Sequence, residues 1–169
     1  MQKGLSLLEL LISLGILCTA LALGMPSMTQ SLDRHRTMAE ADMLLHALQL
    51  ARHTAITHNS ATRVHPLNSD WTNGWQVFID RNDDGIPDAQ TSVITHSPEI
   101  SARLQATRTL QQRILFLGDG HAVLPGGGFQ AGTFTLCEEH STRSHNLIIS
   151  RIGRVRRTIS ADNARCTSR

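Results

Sequence analysis

The chain has 169 residues, of which 40% are hydrophobic and only 4% aromatic, and its formal net charge is +2. This length leaves room for one modest domain with additional segments rather than for several domains, and the overall charge favours neither acidic nor basic partners. The charge is uneven, however, because residues 140–169 contain seven arginines and a single acid, Asp162.

The first predicted element is an apolar helix over Leu5–Met25, whose 21 residues would span about 30 Å, the thickness of a bilayer core. Glu9 lies within this run, although a carboxylate at the centre of a membrane helix costs roughly 2.5–3.5 kcal/mol on insertion scales. No clear small-x-small cleavage site follows the run, as it would in a secretory signal peptide. Gly4 precedes it instead, behind the short basic leader MQKG.

The segment KGLSLLELLISLGIL resembles the class III signal of type IV pilins and type II secretion pseudopilins. The resemblance implies that prepilin peptidase removes residues 1–4 by cutting between Gly4 and Leu5, and that the new N-terminal residue is methylated. Leu5 departs from the phenylalanine usual at that position but is also apolar. Glu9 matches the family's glutamate, which pairs with the N-terminal amine of a neighbouring subunit and thereby offsets the cost of its burial. A carboxylate that snorkels or stays protonated is the alternative.

Residues 26–58 are predicted to continue the helix as an amphipathic half that needs a sheet to cover its apolar face. Pro26 falls where pilins commonly bend or melt their long helix. We expect the helix to run to about Thr57. The recurring inner positions are Leu32, His35, Met38, Met43, Leu44, Leu48, Ala51 and Ala55.

Residues 59–169 change to short β segments separated by turn residues, which predicts a β-rich domain. One long N-terminal helix packed on an antiparallel β-sheet domain is a pilin-like α+β fold. The predicted strands are Ala61–His65, Gly74–Asp80, Ser92–His96, Arg113–Leu117, His121–Leu124, Gly132–Cys137, Asn146–Arg151 and Arg154–Ser160.

Finer features of this region resemble the FimT/GspH group of minor pilins: the stretch Trp71–Asp80, the two C-terminal cysteines and the Gly153–Arg156 turn. If the domain is exported, Cys137 and Cys166 can form a disulfide. Closing a loop of that size would stabilise the fold by about 3–4 kcal/mol in the chain-entropy model. The alternative is two buried free thiols.

The strongest candidate binding site is the segment RIGRVRR. Its candidate DNA-binding residues are Arg151, Gly153, Arg154, Arg156 and Arg157. Gly153 allows a turn, and alternation along a strand makes Arg154 and Arg156 project together. Guanidinium groups bind phosphate oxygens bidentately, which predicts binding to double-stranded DNA without sequence specificity. In FimT proteins a Gly-Arg-x-Arg motif is linked to DNA uptake, and Gly153–Arg156 fill it.

Two alternatives to this interpretation remain open, an arginine edge that blocks aggregation and a contact to the next pilin. Few aromatic residues lie near the segment in the sequence, so the sequence indicates no preference for single strands.

The remaining motifs give weaker indications. The segment Asp80–Gly85 has the start of an EF-hand calcium loop, but Thr91 stands where the bidentate glutamate belongs, and a polar turn is the other interpretation. The nine histidines lack zinc spacing, and Pro125–Gly128 lacks the ending of a P-loop. We therefore predict no metal, no cofactor and no enzyme activity.

Together these features predict a FimT-like minor pilin of a type IV pilus, with one pass through the bacterial inner membrane and a periplasmic C-terminal domain. At the pilus tip it would prime assembly with other minor and major pilins and bind DNA for natural transformation. The alternative is a GspH-like minor pseudopilin of a type II secretion system, which acts in protein secretion without DNA. An adhesive tip subunit is a third, weaker possibility.

Overall fold

The computed structural model describes residues 7–82, 84–87, 93–139, 141–161 and 166, with all of their side chains except those of residues 22–27. These residues form one long α-helix followed by two antiparallel sheets, which confirms the predicted α+β fold. The helix is α1 (Leu7–His58), and the strands are β1 (Thr62–Pro66), β2 (Trp75–Ile79), β3 (Val93–His96), β4 (Arg103–Ala106), β5 (Ile114–Phe116), β6 (Ala122–Val123), β7 (Gly132–Cys137), β8 (Ser144–Ile149) and β9 (Val155–Ser160).

Helix α1 is uninterrupted, so the helix does not melt at Pro26. It ends within one residue of the predicted position. Asn59 adopts a left-handed backbone conformation (φ 46°), and the N–H of Ser60 donates to the carbonyl of Ala55 (3.1 Å). This arrangement satisfies a carbonyl that the last helical turn leaves without an internal partner. Within the described part of the chain, no helix has both the length and the apolar character needed to cross a membrane.

Both sheets pack on the C-terminal half of α1. The strand order is β3-β2-β1-β5-β6 in the first sheet and β4-β7-β8-β9 in the second. One face of the helix and the facing sides of the sheets share a single hydrophobic core. The completely buried helix residues are Ala41, Leu44, Leu48, Ala51 and Ala55. They are three or four residues apart and therefore form one stripe along the helix.

A histidine is buried where α1 meets the second sheet. His145 of β8 is 3% exposed, and its Nε2 atom lies 3.6 Å from a carboxylate oxygen of Glu138. Burial lowers the pKa of His145 below its usual value because the charged ring loses hydration. Glu138 opposes this shift, whereas the guanidinium of Arg157 adds to it.

We predict that the folded domain loses stability as the pH falls below about 6.5, the pKa of a histidine in an unfolded chain. Because the pKa of His145 is lower in the folded state, the unfolded chain binds the proton more readily in that range. Urea unfolding between about pH 8 and about pH 5 should show a weaker pH dependence in His145→Asn than in the wild type. His53→Asn, at an exposed helix position, is the control. Equal pH dependence in His145→Asn and the wild type would contradict this account.

Candidate nucleic-acid interface

The predicted arginine segment forms the turn between β8 and β9. The N–H of Ser150 donates to the carbonyl of Arg154 (3.0 Å), and the N–H of Gly153 donates to the carbonyl of Ser150 (2.9 Å). The Ser150 hydroxyl also accepts from the N–H of Arg154 (3.1 Å). Gly153 has a φ of 73°, which glycine adopts without the steric cost that other residues carry. This conformation lets the chain reverse direction between two arginine-bearing stretches.

The same glycine docks the turn against the first sheet. A Cβ atom at position 153 would lie 2.0 Å from the carbonyl oxygen of Gly120 and 3.3 Å from the backbone nitrogen of Ala122. A residue with a side chain cannot approach so closely. The carbonyl of Gly120 also accepts from Nε of Arg52 on α1 (3.0 Å). This carbonyl therefore joins the arginine turn, the β5–β6 turn and the helix. The sequence did not indicate Arg52, because its partner lies 68 residues away.

Three of the four predicted arginines are exposed. Val155 is buried in the core, so Arg154 and Arg156 project from the opposite, outer side of the second sheet, as strand alternation predicts. Arg151 is exposed within the turn. We call Arg151, Arg154 and Arg156 the arginine patch. Its three guanidinium groups are carried by one short hairpin and face solvent.

Arg157 does not belong to this patch, contrary to the sequence-based expectation. By strand alternation it lies on the same side of β9 as Val155, and its guanidinium pairs with the carboxylate of Asp42 on α1. The pair neutralises the charge of Arg157 and attaches the strand to the helix. Because 115 residues separate the two partners, the local sequence pattern does not reveal the pairing.

Two further arginines lie at the opposite end of the second sheet from the arginine patch. Arg103 lies on β4, the edge strand on the other side of the sheet from β9, and is in register with Cys137 of β7. Arg143 lies in the β7–β8 turn. Both side chains are exposed. They supply a comparison pair that carries the same charge as Arg154 and Arg156 at a distant position.

The other predicted site residues are distributed along the chain. Gly4 and Leu5 lie outside the described residues. Glu9 lies in the first described turn of α1, where its side chain is exposed. Cys137 and Cys166 form a disulfide, so they are not two free thiols.

The segment Asp80–Gly85 makes the contacts of a polar turn. Asp80 is 1% exposed, and its carboxylate pairs with the guanidinium of Arg63 and accepts the N–H of Gly85 (3.0 Å). The amide of Asn82 donates to a carboxylate oxygen of Asp84 (2.7 Å). The neighbouring guanidinium opposes a bound cation at Asp80. Across the described ranges, no three His, Cys, Asp or Glu side chains are grouped so that they could hold a metal ion.

Comparisons with known proteins agree with this architecture. Residues 40–153 match the family described as Type II transport protein GspH. Two crystal structures of the type IV minor pilin FimU from Pseudomonas aeruginosa (strain PAO1) are similar in fold, each with a TM-score of 0.58. They are 21% and 24% identical to this chain, and the alignments cover 72% and 73% of it and 91% and 88% of the FimU chains. No curated protein sequence matches the chain.

We predict that Gly153→Ala lowers the free energy of unfolding by more than about 1 kcal/mol. The new Cβ atom would collide with the Gly120 carbonyl and would occupy a left-handed backbone position. Gly126→Ala is the matched control, because a Cβ atom there meets nothing within 4 Å. The control should be neutral or stabilising by about 0.4–1 kcal/mol. Urea unfolding measures both variants, and a similar loss in the two would refute the close contact.

Proposed function

Because the chain belongs to the GspH family, we propose that it is a FimT-like minor pilin of a type IV pilus that helps to prime assembly at the tip and binds double-stranded DNA there. The observation that carries the DNA proposal is the arginine patch. Its three side chains are exposed on one hairpin, and no described carboxylate pairs with them, in contrast to Arg157. Such a surface supports contact with a polyanion in the setting of natural transformation.

Phosphate groups are the part of duplex DNA that this surface fits. A guanidinium group offers two parallel N–H donors to phosphate oxygens. Each phosphate that is neutralised releases condensed counterions, so affinity depends on salt and carries no sequence information. Three such contacts correspond to a slope of about −2.7 in a plot of log affinity against log salt concentration.

We predict that the double variant Arg154→Ala/Arg156→Ala weakens duplex binding and reduces the magnitude of the salt slope by about 1.8, because two phosphate contacts are lost. Fluorescence anisotropy of the full-length chain in mild detergent with a labelled duplex measures affinity and slope together. Arg103→Ala/Arg143→Ala removes the same charge at the far end of the sheet and should keep the wild-type slope. The DNA proposal fails if the wild-type chain binds no duplex at low salt, or if both double variants lose affinity equally.

A GspH-like pseudopilin of a type II secretion system is the second candidate, because the matching family is described by that system. In that case the domain would contact other pseudopilins and the arginine patch would contact protein rather than nucleic acid. Absence of duplex binding at low salt favours this candidate.

The N-terminal part of α1 supports a role within a filament. Every leucine and isoleucine side chain from Leu7 to Leu21 is more than half exposed. An apolar surface of this kind needs lipid or other subunits to cover it. We propose that prepilin peptidase cuts between Gly4 and Leu5 and that the segment passes once through the inner membrane, with the C-terminal domain in the periplasm. The segment then packs among other pilins.

Glu9→Ala should leave membrane association intact but reduce incorporation into filaments. Removing the carboxylate eliminates the partner proposed for a neighbouring subunit's N-terminal amine. Immunoblots of sheared filaments and of membranes measure the two quantities separately. Ser13→Ala, another polar position in the exposed apolar stretch, is the control. Normal incorporation of Glu9→Ala would rule out the pairing.

A further inference from the structure

An exposed aromatic pair is carried by the part of the first sheet that Gly153 of the arginine turn approaches. Phe129 is 59% exposed, whereas the other three phenylalanines and both tryptophans are buried. The centroid of its ring lies 5.6 Å from that of His121, with 43° between the ring planes. The side chain of His121 is 35% exposed. These two rings therefore form an aromatic surface that a ligand can reach.

The fold brings this pair to the arginine turn, although Phe129 and Arg154 are distant in the sequence. His121 lies between Gly120 and Ala122, the two residues whose backbone atoms Gly153 approaches. Ala122 is buried in the core, and alternation turns the side chain of His121 toward the surface. The close approach of Gly153 to Gly120 and Ala122 therefore joins the hairpin that carries the arginine patch to the segment that carries His121.

The glycine-rich loop that precedes Phe129 is uncrowded. The N–H of Leu124 donates to the carbonyl of Gly128 (3.0 Å), and the N–H of Gly127 donates to the carbonyl of Leu124 (3.0 Å). A Cβ atom at Gly126, Gly127 or Gly128 would meet no atom within 4 Å. The segment that resembles part of a phosphate loop in the sequence is therefore an uncrowded turn next to an aromatic surface.

Asp119 adds a negative charge next to this surface, and its carboxylate contacts His121. Its carboxylate accepts the backbone N–H of His121 (2.9 Å) and lies 3.1 Å from the Nδ1 atom of the same residue. The backbone N–H lowers the pKa of Asp119 by stabilising the ionised carboxylate. The carboxylate therefore lies close to the imidazole ring that contacts Phe129.

We propose that Phe129 and His121 form a base-stacking platform and that the platform and the arginine patch together bind single-stranded DNA. This inference rests on the proposed function, because it uses the same arginines as the phosphate contacts. Bases inside a duplex stack on one another and offer no free face, whereas unpaired bases stack on aromatic side chains. Such stacking contributes about 5- to 150-fold in affinity per base. The sequence alone indicates no single-strand preference, because Gly153 approaches Gly120 and Ala122 only in the folded chain.

The test uses the full-length chain in mild detergent with a single-stranded oligonucleotide that contains the fluorescent base 2-aminopurine, and with a duplex of the same length. Stacking on an aromatic ring quenches the emission of 2-aminopurine. Phe129→Leu should abolish the quenching and lower single-strand affinity at least about fivefold, while duplex affinity stays unchanged. Phe129→Trp should retain both properties. Ile152→Ala is the matched control, because Ile152 is 58% exposed in the arginine turn but has no aromatic face.

The outcomes separate this inference from the proposed function. If Phe129→Leu binds single strands as tightly as the wild type and quenches the emission equally, the platform is wrong while duplex binding through the arginine patch stands. If Ile152→Ala loses as much single-strand affinity as Phe129→Leu, the effect belongs to exposed apolar surface and the stacking is refuted. If the wild-type chain binds neither DNA form at low salt, the proposed function and the platform both fail.

Discussion

The packing of one face of α1 against both sheets forms the hydrophobic core of the domain. The stripe from Ala41 to Ala55 is completely buried, and three of its five residues are alanines, which allow the sheets to approach the helix closely. Polar residues beside the stripe reach the same sheets. Asp42 holds Arg157 on β9, and Arg52 holds the carbonyl of Gly120. The helix that completes the core therefore also positions the arginine turn relative to the first sheet.

The main elements could be predicted from the sequence because their signals are local. Helical spacing predicted the end of α1 to within one residue, and turn residues separated most strands correctly. The prediction of the inner helix face was only partly right. Leu44 and Leu48 are buried, but Met38 and Met43 are more than a third exposed, while Ala41 is inside. A prediction based on hydrophobicity alone assigns the large methionines to the buried face, whereas the close approach of the sheets favours small residues such as alanine there. Strand β4 was missed, because its polar sequence, RLQA, lacks a run of β-branched or aromatic residues.

In the candidate site, contacts between residues distant in the sequence could not be predicted from local patterns. Alternation placed Arg154 and Arg156 correctly on the outer side, and it gives Arg157 the same side of β9 as buried Val155, but the partner of Arg157, Asp42 on the helix, has no local signal in the sequence. Gly153 belongs to the predicted Gly-Arg-x-Arg motif, and the structure adds a physical requirement for glycine there, the close approach to Gly120. The position of Phe129 relative to the arginine turn depends on the contact of Gly153 with Gly120, and no local sequence pattern indicates that contact.

We propose that duplex DNA contacts this chain through the exposed guanidinium groups of one hairpin. Arginine-specific modification with phenylglyoxal, read residue by residue by mass spectrometry with and without duplex DNA, tests it most directly. We expect DNA to protect Arg154 and Arg156 from modification, while Arg103 and Arg143, at the far end of the second sheet, react as before. Protection of Arg103 and Arg143 instead, or equal reactivity of all four with and without DNA, would contradict it.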